Sequence, residues 1–359
     1  MAGGRKVSMG EVARVAGVSK MTVSRYLNNT GIVAESTREK LRQVINELHY
    51  RPNAMAQGLA SNKTSILGLM IFEHMDMDFN FFQPIFLGVE HEARLSGYDL
   101  LLFTNPRSGR ESRCLGMVDG IILLGSTMES DPIEHLESWG IPYVTIGRRK
   151  WHKTIPWCCA VNYTEGFRET AEYLIDQGHR RIAFWGGSKS FSVDQEKHLG
   201  YLRAMEDAGL TLYEGMNLYD EDMGQIRDCV DRYRPTAVIM EGAKVPLPLL
   251  LYARELGLHI PRDLSLVYTR RDFIDVHTLY DLAGIHEMTL ATVPRRELGA
   301  AGFRMLKKLI EGETDIPREL LVNMELIIGE SSGPPVSGIP GVQEIGRGEA
   351  LCKKAKYQN

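Results

Sequence analysis

The first fifty residues carry apolar positions at helical spacing, broken by turn residues. Ser8 stands before Val12, Val15 and Ala16, which fall at i, i+3 and i+4, and Gly17 follows; this predicts a capped helix closed by a C-terminal glycine. Ser19 can cap a second helix in which Val23 and Leu27, four apart, face inward. Lys20, Met21, Thr22, Ser24 and Arg25 are left on its other faces. A third helix, Glu35 to Leu48, carries Leu41, Val44, Ile45 and Leu48 to close a small core, and Pro52 interrupts the pattern. Two helices joined by a short turn around glycine form a helix-turn-helix, whose second helix enters the DNA major groove. The stretch NAMAQGLAS, residues 53 to 61, has helical composition apart from Gly58. Isolated helices below about 12 residues are marginal in water, so it is expected to order only against a partner.

From Ser65 the pattern changes to apolar runs alternating with amphipathic stretches. Strands are expected at ILGLMIF (66 to 72), YDLLLF (98 to 103), VDGIILLG (118 to 125), IPYVTIG (141 to 147), RIAFWGG (181 to 187), TAVIM (236 to 240), LSLVYT (264 to 269) and LLVNMELII (320 to 328). PIFLGVEHEARLSG, EGFRETAEYLIDQG and LLLYARELG read as helices between them, each closed by glycine. Continuous apolar strands spaced by helices argue for an α/β fold of doubly wound parallel sheets, in which ligands bind at the carboxyl ends of strands. LSLVYTRRDF places Arg270 and Arg271 at one such end. Residues 332–359, rich in Gly, Pro and Lys without a heptad, are expected to form a disordered tail.

Composition sharpens this outline. At 359 residues with 43% apolar content, the chain is too long for one compact unit, and two or three domains are expected. Residues 1–63 hold ten Lys/Arg against four acids, a net +6, which leaves 32 basic and 42 acidic residues, a net −10, for the remainder. A small basic head on a large acidic body suits a nucleic-acid-binding module attached to another function. The five cysteines are odd in number and show no C-x-x-C spacing, so neither a disulfide framework nor a zinc site is indicated. With no secretory core at the N-terminus and no apolar stretch of bilayer length, a cytoplasmic protein without a membrane role is expected. His74, Asp76 and Asp78 read as polar rim rather than metal ligands, and GGSKS lacks the full phosphate-loop pattern. No nucleophile, base and orienter stand together, so neither catalysis nor a cofactor is expected.

EVARVAGVSKMTVSRYLN (11 to 28) and VAESTREKLRQVINELHYRPNAMAQGLA (33 to 60) closely resemble the N-terminal signature of LacI/GalR-type bacterial transcription regulators. The resemblance continues through GHRRIAFWGG, HLGYLRAMEDAGL, ARELGLHIPRDLSLV and LGAAGFRMLKKLIEG, and spans residues 8 to 331. It implies a helix-turn-helix head (1–52), a hinge helix and linker (53–64) that folds on operator DNA, and a two-lobed core (65–331) resembling periplasmic binding proteins. The N-lobe would comprise 65–163 and 292–322, the C-lobe 164–290 and 323–331, with crossings near 162–166, 289–293 and 321–325. It further implies a homodimer, a small effector in the cleft and control of carbohydrate-use genes. A solute-binding receptor would share the core but lack the basic head, and a regulator whose cleft binds nothing and answers to a protein partner stays open.

On the resemblance, Lys20 and Met21 are the base-reading positions and Arg25 the arginine of T-V-S-R; lysine suits guanine acceptors and methionine a thymine methyl. Ser19, Thr22, Ser24, Asn28 and Asn53 are expected at phosphates, with Ala56 beside them on the hinge and Leu59 as the minor-groove wedge. The cleft departs from the family. MEGAKV puts Gly242 and Ala243 where many members have N-D, and YTRR puts Arg270 and Arg271 in place of two carboxylates. Lys197 and Arg148 add positive charge, so an anionic effector such as a sugar phosphate or sugar acid is expected, with Phe81 or Phe82 stacking on its apolar face. The alternative is that these cations pair with Glu241, Asp272 or Asp275.

Overall fold

The computed structural model describes residues 7–27, 31–50, 63–71, 79–104, 114–124, 131–148, 157–187, 192–219, 223–241, 246–269 and 276–336. The head is three helices, α1 (Met9–Ala16), α2 (Lys20–Leu27) and α3 (Glu35–Glu47), around Val12, Ala13, Ala16, Val23, Leu41 and Val44. Ser8 Oγ accepts from the Glu11 amide, and Gly17 takes a left-handed φ of 62° where its N–H closes the helix end. Val15, expected inside, is 41% exposed, and Ala13 takes the buried place because the stripe runs through positions 12, 13 and 16.

The core is built on two six-stranded sheets. The first has the order β11 (Glu319–Val322), β5 (Cys158–Val161), β4 (Tyr143–Ile146), β3 (Gly120–Leu124), β1 (Ile66–Ile71), β2 (Asp99–Thr104), all parallel. The second has the order β12 (Glu325–Ile327), β10 (Thr289–Thr292), β9 (Ser265–Thr269), β8 (Ala237–Glu241), β6 (Ile182–Trp185), β7 (Asn217–Leu218). Its edge strand β12 runs antiparallel to β10, so this sheet is mixed rather than wholly parallel. The run 320 to 328, expected as one strand, is two: the chain leaves the first sheet after Val322 and enters the second at Glu325. It also passes between sheets after Val161 and after Thr292.

Strand side chains alternate between two cores. Leu67, Leu69, Ile122 and Val144 face a large cluster that continues onto Phe184, Ile239 and Val267 of the second sheet. Met70, Phe103, Ile121 and Leu123 face Ile133 and Leu136 of α5 (Asp131–Ser138) on the other side. Burial on both faces explains why GIILL is apolar throughout. Helices α4 (Phe79–Leu95) and α11 (Arg295–Ile310) cross closely: a Cβ on Gly88 would strike the Arg296 carbonyl, and one on Gly299 the Ile85 carbonyl.

The segment after β12 is tied down, which moves the expected tail boundary. Ser331 Oγ donates to the Leu266 carbonyl at 2.6 Å, Ser332 Oγ pairs with Thr289 Oγ1 at 2.6 Å, and the Gly333 carbonyl is bonded by His179 Nε2 at 2.9 Å. Residues 332 and 333 are therefore part of the second lobe; 337–359 lie outside the described residues.

Candidate nucleic-acid interface and ligand cleft

Val23, fully buried against α1 and α3, sets the rotation of α2 and thereby turns Lys20, Met21 and Arg25 outward. Met21 is 64% exposed, an unusual position for a large apolar side chain and one that suits a groove contact. Ser19 Oγ accepts from the Thr22 amide at 3.1 Å and pairs with Thr22 Oγ1 at 2.9 Å, so both hydroxyls start the helix as well as facing outward. Lys20 extends over α1 at Gly10, where an added Cβ would stand 2.9 Å from Lys20 Cε. Ser24 is half-buried on the same helix. Asn28, Asn53, Ala56 and Leu59 lie outside the described residues, as does Gly58.

In the core, side chains that follow β4 and β6 meet across the two lobes. Arg148, two residues past β4, donates from Nη1 to Glu196 Oε2 at 2.6 Å on α7 (Ser192–Asp207), the helix after β6. Its Nε donates to Glu319 Oε1 at 2.5 Å on β11. One guanidinium thus joins the lobes. Burial by itself pulls the Arg148 pKa down, but Glu319 and Glu196 outweigh it and the net direction is up.

Beside this pair lies a buried ionic triad. Lys197 Nζ donates to Glu241 Oε1 at 2.5 Å and to Asp194 Oδ1 at 3.0 Å, and stands 5.1 Å from the centre of the Tyr163 ring. Lys197 is 4% and Glu241 2% exposed. Desolvation opposes the ammonium, yet Glu241 and then Tyr163 and Asp194 outweigh it, so its pKa is raised and the charge stays. Local backbone makes the approach possible. Gly186, after β6, has φ 116°, and a Cβ there would strike the Glu241 carbonyl. Gly186 thus lets β6 and β8 end side by side.

These contacts correct the expected convergence of unopposed cations. Lys197 and Arg148 are each matched by two carboxylates. Phe82 is corrected as well: it is 7% exposed within the cluster under the first sheet, so it serves the core and not the cleft wall. The Phe81 side chain, Gly242, Arg270 and Arg271 lie outside the described residues. Thr269, at the end of β9 and next to Arg270, is 6% exposed, and its Oγ1 has no hydrogen-bond partner among the described residues. Asp194, Glu196, Glu319 and Tyr163 were not singled out from sequence. Asp194 was within reach, being three residues before Lys197 on one helix, the spacing of a facing pair. Glu319 was not, because it lies 171 residues from Arg148.

The described residues hold no group of three His, Cys, Asp or Glu side chains placed for a metal, and no helix among them is long and apolar enough to cross a membrane. A helix-turn-helix head carried on a two-lobed α/β core defines a DNA-binding transcription regulator. Residues 8–53 match the model of the bacterial regulatory proteins of the lacI family, and 171–332 match the periplasmic binding protein-like domain. Catabolite control protein A of Priestia megaterium is 30% identical over 321 residues, covering 86% of this chain and 94% of that protein. The HTH-type transcriptional repressor PurR of Vibrio vulnificus (strain CMCP6) is 30% identical over 339 residues, covering 89% and 97%. The solved transcriptional regulator CelR–cellobiose complex superposes with a TM-score of 0.60 at 30% identity, covering 91% of this chain and 100% of that one. The chain belongs to the lacI family of bacterial regulatory proteins and is not an enzyme.

Proposed function

We propose that this protein is a cytoplasmic, homodimeric repressor of carbohydrate-use genes. Its grip on operator DNA is set by a small, neutral, polyhydroxylated effector in the cleft. On the DNA side, Lys20 and Met21 read base edges, with Arg25 beside them on the exposed face of α2. Ser19, Thr22, Ser24, Asn28 and Asn53 hold phosphates, with Ala56 beside them on the hinge, and Leu59 enters the minor groove.

The observation that carries the effector reading is the charge balance at the cleft. Two cations, Lys197 and Arg148, meet four carboxylates, Asp194, Glu241, Glu196 and Glu319. An excess of acceptors suits the hydroxyl donors of a neutral sugar and repels a second anion. This revises the anionic effector expected from the sequence. Arg270 and Arg271, next in sequence after β9, remain candidate contacts for ring oxygens and hydroxyls together with Gly242 and Phe81. The complex of the similar regulator CelR with cellobiose supports a sugar of this kind.

Calorimetry of the full chain with neutral disaccharides, the corresponding sugar phosphates and purine bases tests the reading. Binding of a neutral sugar that also changes operator affinity is the expected result. Binding confined to the phosphorylated sugars would overturn it.

A further inference from the structure

At the opposite end of the first sheet, one carboxylate holds the start of the core. Asp119 directly precedes β3, and its Oδ1 accepts from the Thr64 amide at 2.7 Å and the Thr64 hydroxyl at 2.8 Å. Its Oδ2 accepts from the Ser65 amide at 2.9 Å. The Asp119 amide in turn donates to the Ile66 carbonyl at 2.8 Å, and the Asp99 amide to the Ser65 carbonyl at 2.9 Å. Thr64 Oγ1 also accepts from the Ile66 amide at 3.2 Å. The starts of β1, β2 and β3 are thereby knotted together through two residues that precede any strand.

Strand pairing alone orders the chain from Ile66 onward, where the register Ile66 with Asp99 begins. The Asp119 carboxylate extends that order two residues upstream, using three of the roughly four acceptor positions a carboxylate offers. Ser65 meanwhile sits at φ 55°, a left-handed conformation that a serine seldom adopts and that surrounding bonds must impose. Its side effect is directional, since a left-handed residue turns the chain sharply. Residues 53–62, next in sequence, join this point to the basic head.

We propose that Asp119 is a positioning residue for operator binding: by locking Thr64 and Ser65 it fixes where, and in which direction, the chain leaves the core for the DNA-binding head. In a dimer, two such fixed exits set the distance between heads and hence the half-site spacing the protein accepts. Fixing them in advance also lowers the ordering cost of binding. The inference rests on the operator-binding reading and adds a residue to it that touches no DNA.

The test begins with selection of duplexes from a random pool by the full chain. The operator obtained is then remade with the half-sites moved by one and two base pairs. Asp119→Ala is expected to weaken binding to the selected operator about tenfold and to flatten the preference among spacings. Asp119→Asn keeps an acceptor for Thr64 but turns a donor toward the Ser65 N–H, and is expected to fall between the two. Thr64→Val, which removes only the hydroxyl bond, gives the same direction with a smaller effect should the alanine variant not fold. A purely structural role would lower the thermal midpoint without changing spacing preference. Variants that rank the spaced operators as the parent does would overturn the proposal. A parent chain that selects no sequence would instead overturn the operator reading itself, and this inference with it.

Discussion

Glu241 Oε1 accepts a hydrogen bond from Lys197 Nζ at 2.5 Å between side chains that are both almost wholly withdrawn from solvent. Such a pair has no water to fall back on. Replacing the lysine by methionine, of similar length, leaves Glu241 and Asp194 facing each other in a low dielectric. Loss of one partner of a buried pair costs about 3–5 kcal/mol. Lys197→Met should lower the free energy of unfolding in urea by that order. Adding Glu241→Gln should recover part of it, and a double-mutant cycle that came out additive would contradict the coupling.

Arg148 bridges the two lobes through Glu196 and Glu319. The pair is only partly buried, with Arg148 28% and Glu196 15% exposed, so its worth to stability is modest, about 1 kcal/mol or less. Its effect on shape is larger. Arg148→Glu sets three carboxylates against one another across the lobe boundary, and small-angle scattering should show a larger radius of gyration than the parent at low salt. Raised ionic strength should shrink the difference, because screening weakens the repulsion.

His179 is fully buried, with Nε2 bonded to the Gly333 carbonyl and Nδ1 to Thr236 Oγ1, each at 2.9 Å. Nε2 donates to the carbonyl, and in the neutral ring Nδ1 accepts from Thr236 Oγ1. Burial holds its pKa below the ordinary 6.5, against a smaller upward pull from Gly333. Above that value both folded and unfolded chains leave the ring neutral and no dependence arises. As pH falls through it the unfolded chain takes up the proton first, so stability declines with a slope approaching about 1.4 kcal/mol per pH unit. Urea titrations between pH 5 and 8 should show this, and His179→Gln should flatten it.

On the head, Lys20 and Met21 are predicted to read separate base pairs. Alanine at either should relax preference at one operator position by about 1–3 kcal/mol and leave the others intact, as measured by competition among single-base variants. Ser19→Ala should act differently. It removes both the bond to the Thr22 amide and a phosphate contact, so all sequences weaken together while the head loses about 1 kcal/mol of stability.

Much of the fold was legible because it rests on local periodicity. Ser8, Gly17, Val23, Leu41 and Val44 sit as their spacing predicts, and GIILL is buried at every position as a doubly covered strand should be. Three strands carry no such signal: CCAV and TLAT are four residues long and β7 only two, too short to carry a period. Val15 was misplaced because it belongs to the same helical stripe as Val12 by spacing, while the actual contact face is one residue to the side. The split of 320 to 328 into two strands could not be read from an unbroken apolar run.

What the sequence by itself determined was the order of elements, the basic head, the lacI-type signature and the charges of Lys197 and Arg148. Only the tertiary structure decided what those cations meet. Lys197 finds Glu241 44 residues away, Arg148 finds Glu319 171 residues away, and Asp119 finds Thr64 55 residues away. Hydrophobic pattern is a property of neighbours along the chain, whereas charge is balanced by neighbours in space. A guanidinium or ammonium therefore looks free in a sequence until folding brings its carboxylate alongside.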